Sequence, residues 1–234
     1  ISIRENILRA VSHDLRTPLT SISGAVSVLL SSPEVSPKNL AMLSDIKQDA
    51  DSLIVMVENL LSVTRVQDGT MPLKKREEML EEVAGDALLT TRRRFPDCCI
   101  ELDLSEDILY LPMDTLLVKQ VIVNLLENAI RHSGDTEHIT LRLYRQEDWA
   151  VVEVRDRGRG LSAEVCQAVR TGQPMPRSLS GDSTRGMGIG LSVCQSIIKA
   201  HGGFFTAGNH PGGGAVFRFG LPAEPVGLPA EPHQ

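Results

Sequence analysis

The stretch Ser12-His13-Asp14-Leu15-Arg16-Thr17-Pro18-Leu19 lies in the middle of a long amphipathic segment, and its reading decides how the N-terminal part of the chain folds. Apolar or small residues recur at Leu8, Val11, Leu15, Ile22, Ala25 and Leu29, with Pro18 in register, at spacings that alternate three and four. That alternation is the seam of a helix that packs against other helices. His13 stands two residues from both Val11 and Leu15. At about 100° per residue it therefore points away from the seam, toward solvent. Asp14 adjoins it, and Thr17 follows one turn later on the same face. Pro18 has no N–H and its ring crowds the Asp14 carbonyl, so a bend is expected here at a cost of about 3 kcal/mol. A solitary exposed His is ordinarily just a solvated surface residue. A chemical role for His13 requires a second site that supplies something for it to react with.

Composition sets outer bounds. The 234 residues suffice for one large domain or two small ones. Hydrophobic residues make up 41% and charged residues 23%, ordinary values for a globular protein, while aromatics at 3% leave the core to aliphatic side chains. The net charge of −6 argues against a nucleic-acid surface. Arg92-Arg93-Arg94, a basic run, reads as a solvated helix end. Cys98, Cys99, Cys166 and Cys194 lack metal-ligand spacing, and an adjacent pair suits no ordinary disulfide framework, which favours a reducing compartment. No apolar run approaches the roughly 18 residues of a membrane span, and no signal peptide is evident. The chain starts at Ile1 without an initiator Met, and the expectation is a piece of something longer.

The periodicity predicts a first helix over about Ile3–Ser31, closed by the Ser- and Pro-rich turn Ser31–Pro37. A second helix is expected from about Lys38 to Val66, with Leu43, Ile46, Ala50, Leu53, Val57, Leu60 and Thr64 as its seam. Each helix would be roughly 42 Å long. A hairpin of two such helices offers each stripe only one neighbour. Burying both seams calls for a second copy, hence a homodimeric four-helix bundle.

Val66–Pro72 breaks the pattern as a linker, and the texture then changes. Strands are predicted at Met71–Lys75, Cys98–Leu104 and Ile108–Leu111, and helices over Glu77–Phe95 and from Pro112-Met113-Asp114 to near His132. A hairpin follows at Ile139–Arg145 and Ala150–Arg155, then a helix near Ala163–Val169 and an irregular stretch at Arg170–Arg185. A helix over Gly190–Ala200 and strands at Phe204–Ala207 and Ala215–Gly220 close an α+β two-layer sandwich. The tail repeats Gly-Leu-Pro-Ala-Glu-Pro at Gly220–Pro225 and Gly227–Pro232, a Pro-rich segment able to bury little.

Three pieces of this second region fit together around a nucleotide. On the predicted helix ending near His132, Val118, Val121, Ile122, Leu125 and Ala129 form the buried face, while Gln120, Asn124, Asn128 and Arg131 stack along another. Amide oxygens are hard ligands that suit Mg²⁺, and Arg131 can neutralise phosphate charge; alone, the same row is merely a polar helix face. Asp156-Arg157-Gly158-Arg159-Gly160 follows a strand directly. A carboxylate at a strand end can accept from an exocyclic amine such as that of adenine, with glycines letting the backbone approach; alone, it is a plain turn. Gly186-Met187-Gly188-Ile189-Gly190-Leu191 opens a predicted helix, whose free N–H groups make a phosphate-binding end. It is not the dinucleotide fingerprint, because no strand immediately precedes it.

Taken in order, these motifs downstream of Ser12–Leu19 resemble the sensor histidine kinases of two-component signalling, over nearly all of residues 1–221. Ser12–Leu19 is similar to that family's H box, Asn124–His132 to its N box, Asp156–Gly160 to its G1 box and Gly186–Leu191 to its G2 box. Within the family the chain most resembles the potassium-responsive, Kdp-type kinases, on Ser12–Leu29 and Val118–Ser133.

The resemblance implies a dimerisation and histidine-phosphotransfer hairpin over 1–67, a Bergerat-type (GHKL) ATP-binding domain over 68–221 and a tail over 222–234. It makes His13 the phosphoacceptor, Asp14 its proton acceptor and Thr17 the residue that orients water when a partner is dephosphorylated. ATP and Mg²⁺ are the implied cofactors: Asn128, with Asn124, coordinates the metal, while Arg131 and His132 complete that face. Asp156 recognises adenine, and Gly158, Gly160, Gly186, Gly188 and Gly190, with Leu191, shape the pocket and its lid. The implied partners are a second copy and a cognate response regulator, in the cytoplasm, with a membrane reached only through other regions. Two features depart from the family. Gly160–Gly186 contains no Phe or Tyr where a Phe-containing box is usual, and Arg131 stands where Lys is common. A clamp ATPase of the gyrase, chaperone or mismatch-repair kind, and a lid-degenerate, non-catalytic dimerising pseudokinase, are the alternatives.

Overall fold

A computed structural model describes residues 3–31, 36, 39–40, 42–44, 46–47, 50, 53, 73–133, 138–171 and 187–223, without the side chains of 3–14, 16 and 187–189. The chain divides into two compact units, Ile1–Met71 and Pro72–Gln234.

In the first unit, α1 (Ile3–Leu30) runs continuously through Pro18. Helical residues recur between 39 and 53, within the expected second helix; the remainder of that helix lies outside the described residues. The seam differs in detail from the sequence reading. Val26, which that reading omitted, is buried together with Ala50, whereas Leu15, Ile22 and Leu29 remain 46%, 44% and 48% exposed. The apolar face of α1 is thus wider than one stripe. Its Val26 side is covered within the unit, and its Leu15–Ile22–Leu29 side is open.

The second unit is a two-layer α+β sandwich. Its five-stranded sheet has the order β2 (Ile100–Leu104), β4 (Ile139–Gln146), β5 (Trp149–Arg155), β7 (Ala215–Pro222), β6 (Phe204–Asn209). Only the β2–β4 pairing is parallel. A separate antiparallel pair joins β1 (Arg76–Met79) to β3 (Tyr110–Met113). The helices are α2 (Leu80–Arg94), α3 (Thr115–Ser133), α4 (Ala163–Thr171) and α5 (Met187–Ala200); α3 packs against both α2 and α5.

Period-two alternation explains the sheet. Leu141, Val154 and Phe217 stand in register across three strands, as do Leu143, Val152 and Phe219, and all six are buried. The next row outward is charged: Asp103, Arg142, Glu153 and Arg218 face one another across β2, β4, β5 and β7. Arg142 Nε lies 2.9 Å from Asp103, and the buried Glu153 is paired by both Arg218 and Arg155. Burial alone would push the Glu153 carboxyl up, but hydrogen bonds from Arg218 and Arg155 outweigh it and hold the pKa below its ordinary value.

Several expected boundaries move. The strand anticipated at Met71–Lys75 is instead Arg76–Met79, and the helix after it begins at Leu80 rather than Glu77. Arg-Glu-Glu-Met has little strand propensity; pairing with Tyr110–Met113 makes it a strand. Pro112, expected to lead into a helix, sits inside β3, which tolerates it because β3 pairs on one side only. β7 runs on to Pro222, so the first copy of the tail repeat starts within a strand. Residues 224–234 lie outside the described part. The four cysteines are free thiols, and burial pushes Cys194 up to about 12. No helix among the described residues is long and apolar enough to cross a membrane.

Candidate functional site

Asp114 starts α3: its Oδ1 accepts from Leu117 N (3.3 Å), the bond of a helix N-cap. The expected apolar face, Val118, Val121, Ile122, Leu125 and Ala129, is wholly buried. Along the other face, Asn124 is buried and donates to Cys194 Sγ on α5 at 3.9 Å, joining the two helices midway. One turn on, Asn128 Nδ2 is buried and unbonded among the described residues, and one turn further so is His132 Nδ1. Buried polar atoms without partners are uncommon in folded proteins and call for an explanation. Two of them aligned on one helix face mark a place where a polar ligand fits.

Arg131 takes a different course. Its Nη2 lies 3.7 Å from Glu127 Oε2, and its guanidinium stands 5.9 Å from the Phe95 ring centroid. Glu127 is buried and also accepts from Arg94 Nη1 at 2.7 Å. Arg94 was read from sequence as part of a solvated helix end; the structure gives it a partner, while Arg92 donates to Ile100 O at 3.0 Å.

The loop after β5 is built around a carboxylate. Asp156 is buried, and its Oδ1 accepts from Gly158 N (2.8 Å) and Ala215 N (3.0 Å). No bond to Oδ2 is found among the described residues. Gly158 is required for close approach, though to protein: a Cβ there would collide with the backbone of Ser133 at the end of α3. Gly160 adopts a φ of +76°, and Asn209 brackets its neighbour Leu161, accepting from its N and donating to its O. Asp156 and α3 are thereby brought together. His132 feels Arg159 and Asp156, and its pKa is lowered first by burial, then by Arg159 and Arg131, with Asp156 opposing.

The glycine-rich motif differs from expectation. α5 starts at Met187, so Gly188 and Gly190 lie within its first turns rather than in a loop before Leu191. The helix N-terminus therefore falls one turn earlier than the sequence suggested. The side chain of Leu191 is completely buried and belongs to the core, not to the pocket surface. Gly186 and the rest of 172–186 lie outside the described residues. His13 and Asp14 are on the helical backbone of α1, with side chains outside the described part, and Thr17 is exposed on that helix.

Sequence reasoning missed four participants: Ala215 N, Asn209, Cys194 and the buried Glu127. Glu127, amid an amide-bearing face and four residues before Arg131, carried a readable signal as half of a helix ion pair. The other three become neighbours only when β5, β6, β7 and α5 assemble.

The family described as histidine kinase-, DNA gyrase B-, and HSP90-like ATPase matches residues 113–225, and the His Kinase A (phospho-acceptor) domain matches residues 3–69. The sensor protein KdpD of Clostridium acetobutylicum is 37% identical over 224 residues, covering 95% of this chain and 25% of that protein. KdpD of Escherichia coli strain K12 is 36% identical over 224 residues, with the same coverages of 95% and 25%. The chain thus spans about a quarter of the length of these curated relatives. Full-length ShkA in complex with AMPPNP superposes with a TM-score of 0.66 at 21% identity, over 96% of this chain and 47% of that one, a likeness of fold. With a phosphoacceptor region and an ATPase-fold region in this order, the chain belongs to the sensor histidine kinase family.

Proposed function

We propose that the chain is the autophosphorylating core of a two-component sensor kinase, using ATP to phosphorylate His13 and passing the phosphoryl group to an aspartate of a response regulator. The observation that carries the reading is the carboxylate of Asp156, held through Oδ1 by two backbone N–H groups beside the amide-bearing face of α3. With Oδ1 so engaged, Oδ2 is the oxygen available to the exocyclic amine of adenine.

A divalent cation fits the remaining residues. Asn128 carries an amide whose buried Nδ2 has no partner among the described residues, and a half-turn about its last side-chain bond exchanges nitrogen for oxygen. Asn128, with Asn124 behind it, is the residue that would hold Mg²⁺, which would supply positive charge to offset that of the phosphates. Arg131, already paired with Glu127, adds positive field rather than a direct phosphate contact. The first turn of α5, with Gly188 and Gly190, would present free N–H groups to the phosphates.

At the acceptor, Asp14 accepts a hydrogen bond from Nδ1–H of His13, stabilises the imidazolium that forms as Nε2 attacks, and then takes the Nδ1 proton to leave neutral phosphohistidine. The Nε2 lone pair attacks the γ-phosphorus in line, the bond to the β–γ bridging oxygen breaks, and its electrons leave on ADP. In the second transfer the regulator's carboxylate oxygen displaces the imidazole, and the P–N bond breaks. Thr17 serves the reverse duty, orienting water against the phosphorylated regulator. The division of labour is 1–67 for dimerisation and phosphotransfer and 68–221 for ATP, with the tail expected over 222–234 following β7, whose last residue is Pro222. Cytoplasmic placement beside a membrane anchor carried elsewhere, and a response to potassium, follow from the Kdp-type likeness alone.

Incubation with γ-labelled ATP and mapping of the labelled residue tests the reading. Acid-labile, alkali-stable label on His13 is expected, and His13→Ala should lose it while retaining ATP binding. Label that persists in that variant overturns the assignment. Nucleotide turnover without any phosphoprotein would favour a clamp ATPase. Failure to bind Mg²⁺·ATP at all would favour a pseudokinase, the reading that the lid without Phe or Tyr motivates.

A further inference from the structure

The far end of the α3–α5 pair holds a knot of hydrogen bonds that the phosphotransfer chemistry does not use. His201, buried just beyond α5, has Nδ1 2.8 Å from Ile197 O. Nδ1 must therefore carry the proton, which leaves the Nε2 lone pair to accept from Asp114 N at 3.1 Å. Asp114 Oδ1 caps α3, and its Oδ2 accepts from Lys74 N at 3.1 Å. Lys75 Nζ donates to His201 O at 3.3 Å. The imidazole joins the last turn of α5 to the first turn of α3, and the lead-in at Lys74–Lys75 is tied to the same pair through the Asp114 carboxylate and the His201 backbone carbonyl. That lead-in comes directly after the boundary between the two units, which falls at Met71–Pro72.

The rest of the helix pair gives the knot its reach. Asp114 meets the end of α5, while Asn124 and Val121 O meet Cys194 at its middle, so α3 and α5 run antiparallel. Asn128 lies about 21 Å along α3 from Asp114. The amide face and the glycine-bearing turn of α5 are then at one end of the pair and the lead-in at the other. Between them Val118, Val121, Ile122, Val193, Cys194 and Ile197 are buried, and close-packed interiors transmit displacement rather than absorb it.

We propose that His201 is a positioning residue: by accepting from Asp114 N it couples nucleotide occupancy at one end of the α3–α5 pair to the lead-in Lys74–Lys75 at the other. This rests on the nucleotide reading above. Because such coupling is reciprocal, the geometry of the lead-in sets nucleotide affinity by the same factor with which nucleotide orders the lead-in.

Amide hydrogen exchange on the whole chain, with and without AMPPNP and Mg²⁺, tests it in wild type, His201→Gln and His201→Asn. Glutamine sets an amide oxygen near the place of Nε2; asparagine keeps a donor for Ile197 O but is too short to reach Asp114 N. Bound analogue should slow exchange at Lys74, Asp114 and Leu117 by at least about fivefold in wild type and in His201→Gln, the lower edge of typical coupling. His201→Asn should bind the analogue with slowing of less than about twofold at those amides, below that range. Analogue binding to wild type without slowing overturns the proposal, and this needs no variant to fold. Equal slowing in His201→Asn also overturns it. A wild-type chain that binds no analogue removes the nucleotide reading, and the coupling with it.

Discussion

Asp156 is prepared for a ligand before one arrives. A buried carboxylate whose Oδ1 accepts two backbone N–H bonds is fixed in direction. Asp156→Asn keeps an oxygen for the backbone while replacing the charged acceptor offered to a nucleotide amine. Hydrogen bonds to charged groups contribute about 1.5–3 kcal/mol, so Mg²⁺·ATP affinity should fall about 10- to 100-fold in calorimetry, with the fold intact by circular dichroism. An unchanged affinity would remove Asp156 from the site. Gly158 makes a different demand, since any Cβ collides with Ser133 backbone. Gly158→Ala should cost about 1–3 kcal/mol in urea unfolding, the usual penalty for overpacking. A neutral result would mean that the loop does not rest on α3.

Among the elements, α3 and α5 carry the site between them, and two histidines report on the surroundings of α3. Burial lowers the His201 pKa most; its bond to Ile197 O and the charge of Asp114 oppose that, and Lys75 adds to it. Burial likewise leads at His132, reinforced by Arg159 and Arg131 and opposed by Asp156. Both imidazoles thus have folded-state pKa values below the ordinary one. At a pH between the folded value and the ordinary value of about 6.5, the unfolded chain binds more protons, so stability rises with pH there. The contribution is complete above about pH 6.5 and is lost as pH falls through the folded values. Urea unfolding from pH 5 to 8 should show this loss on acidification, and His201→Gln should flatten part of it. A stability that is unchanged or rises on acidification through this range would contradict the burial of these rings.

For the whole molecule, the open flank of α1 is the informative surface. Leu15, Ile22 and Leu29 form a row of exposed apolar side chains at one-heptad spacing, and Ile46 and Leu53, seven residues apart in the same unit, are exposed as well. Fully burying each such side chain contributes about 1.5–3 kcal/mol, which a second copy supplies most directly. Sedimentation equilibrium should find wild type dimeric and Ile22→Lys combined with Leu29→Lys monomeric, with ATP affinity of the second unit preserved. A wild-type chain that stays monomeric would sink the four-helix reading.

Much of this protein is legible without coordinates, because its strongest signals are local. The heptad spacing of Leu15, Ile22 and Leu29, the buried face Val118–Ala129 and the alternation in Ile139–Arg155 each follow from one backbone period, and the structure keeps all of them as helix or strand. The motifs at Asn124–His132 and Asp156–Gly160 were readable in the same way, as residue types at fixed offsets on predicted elements. Only the tertiary structure made Arg76–Met79 a strand, moved the start of α5 ahead of Gly188 and sent Arg131 to Glu127 instead of leaving it free for phosphate. It alone brought Ala215 N to Asp156 and Asp114 N to His201, across 59 and 87 residues of chain. The physical reason is range: periodicity records which face of an element is buried, whereas a hydrogen bond between distant residues exists only once packing has fixed where both elements lie.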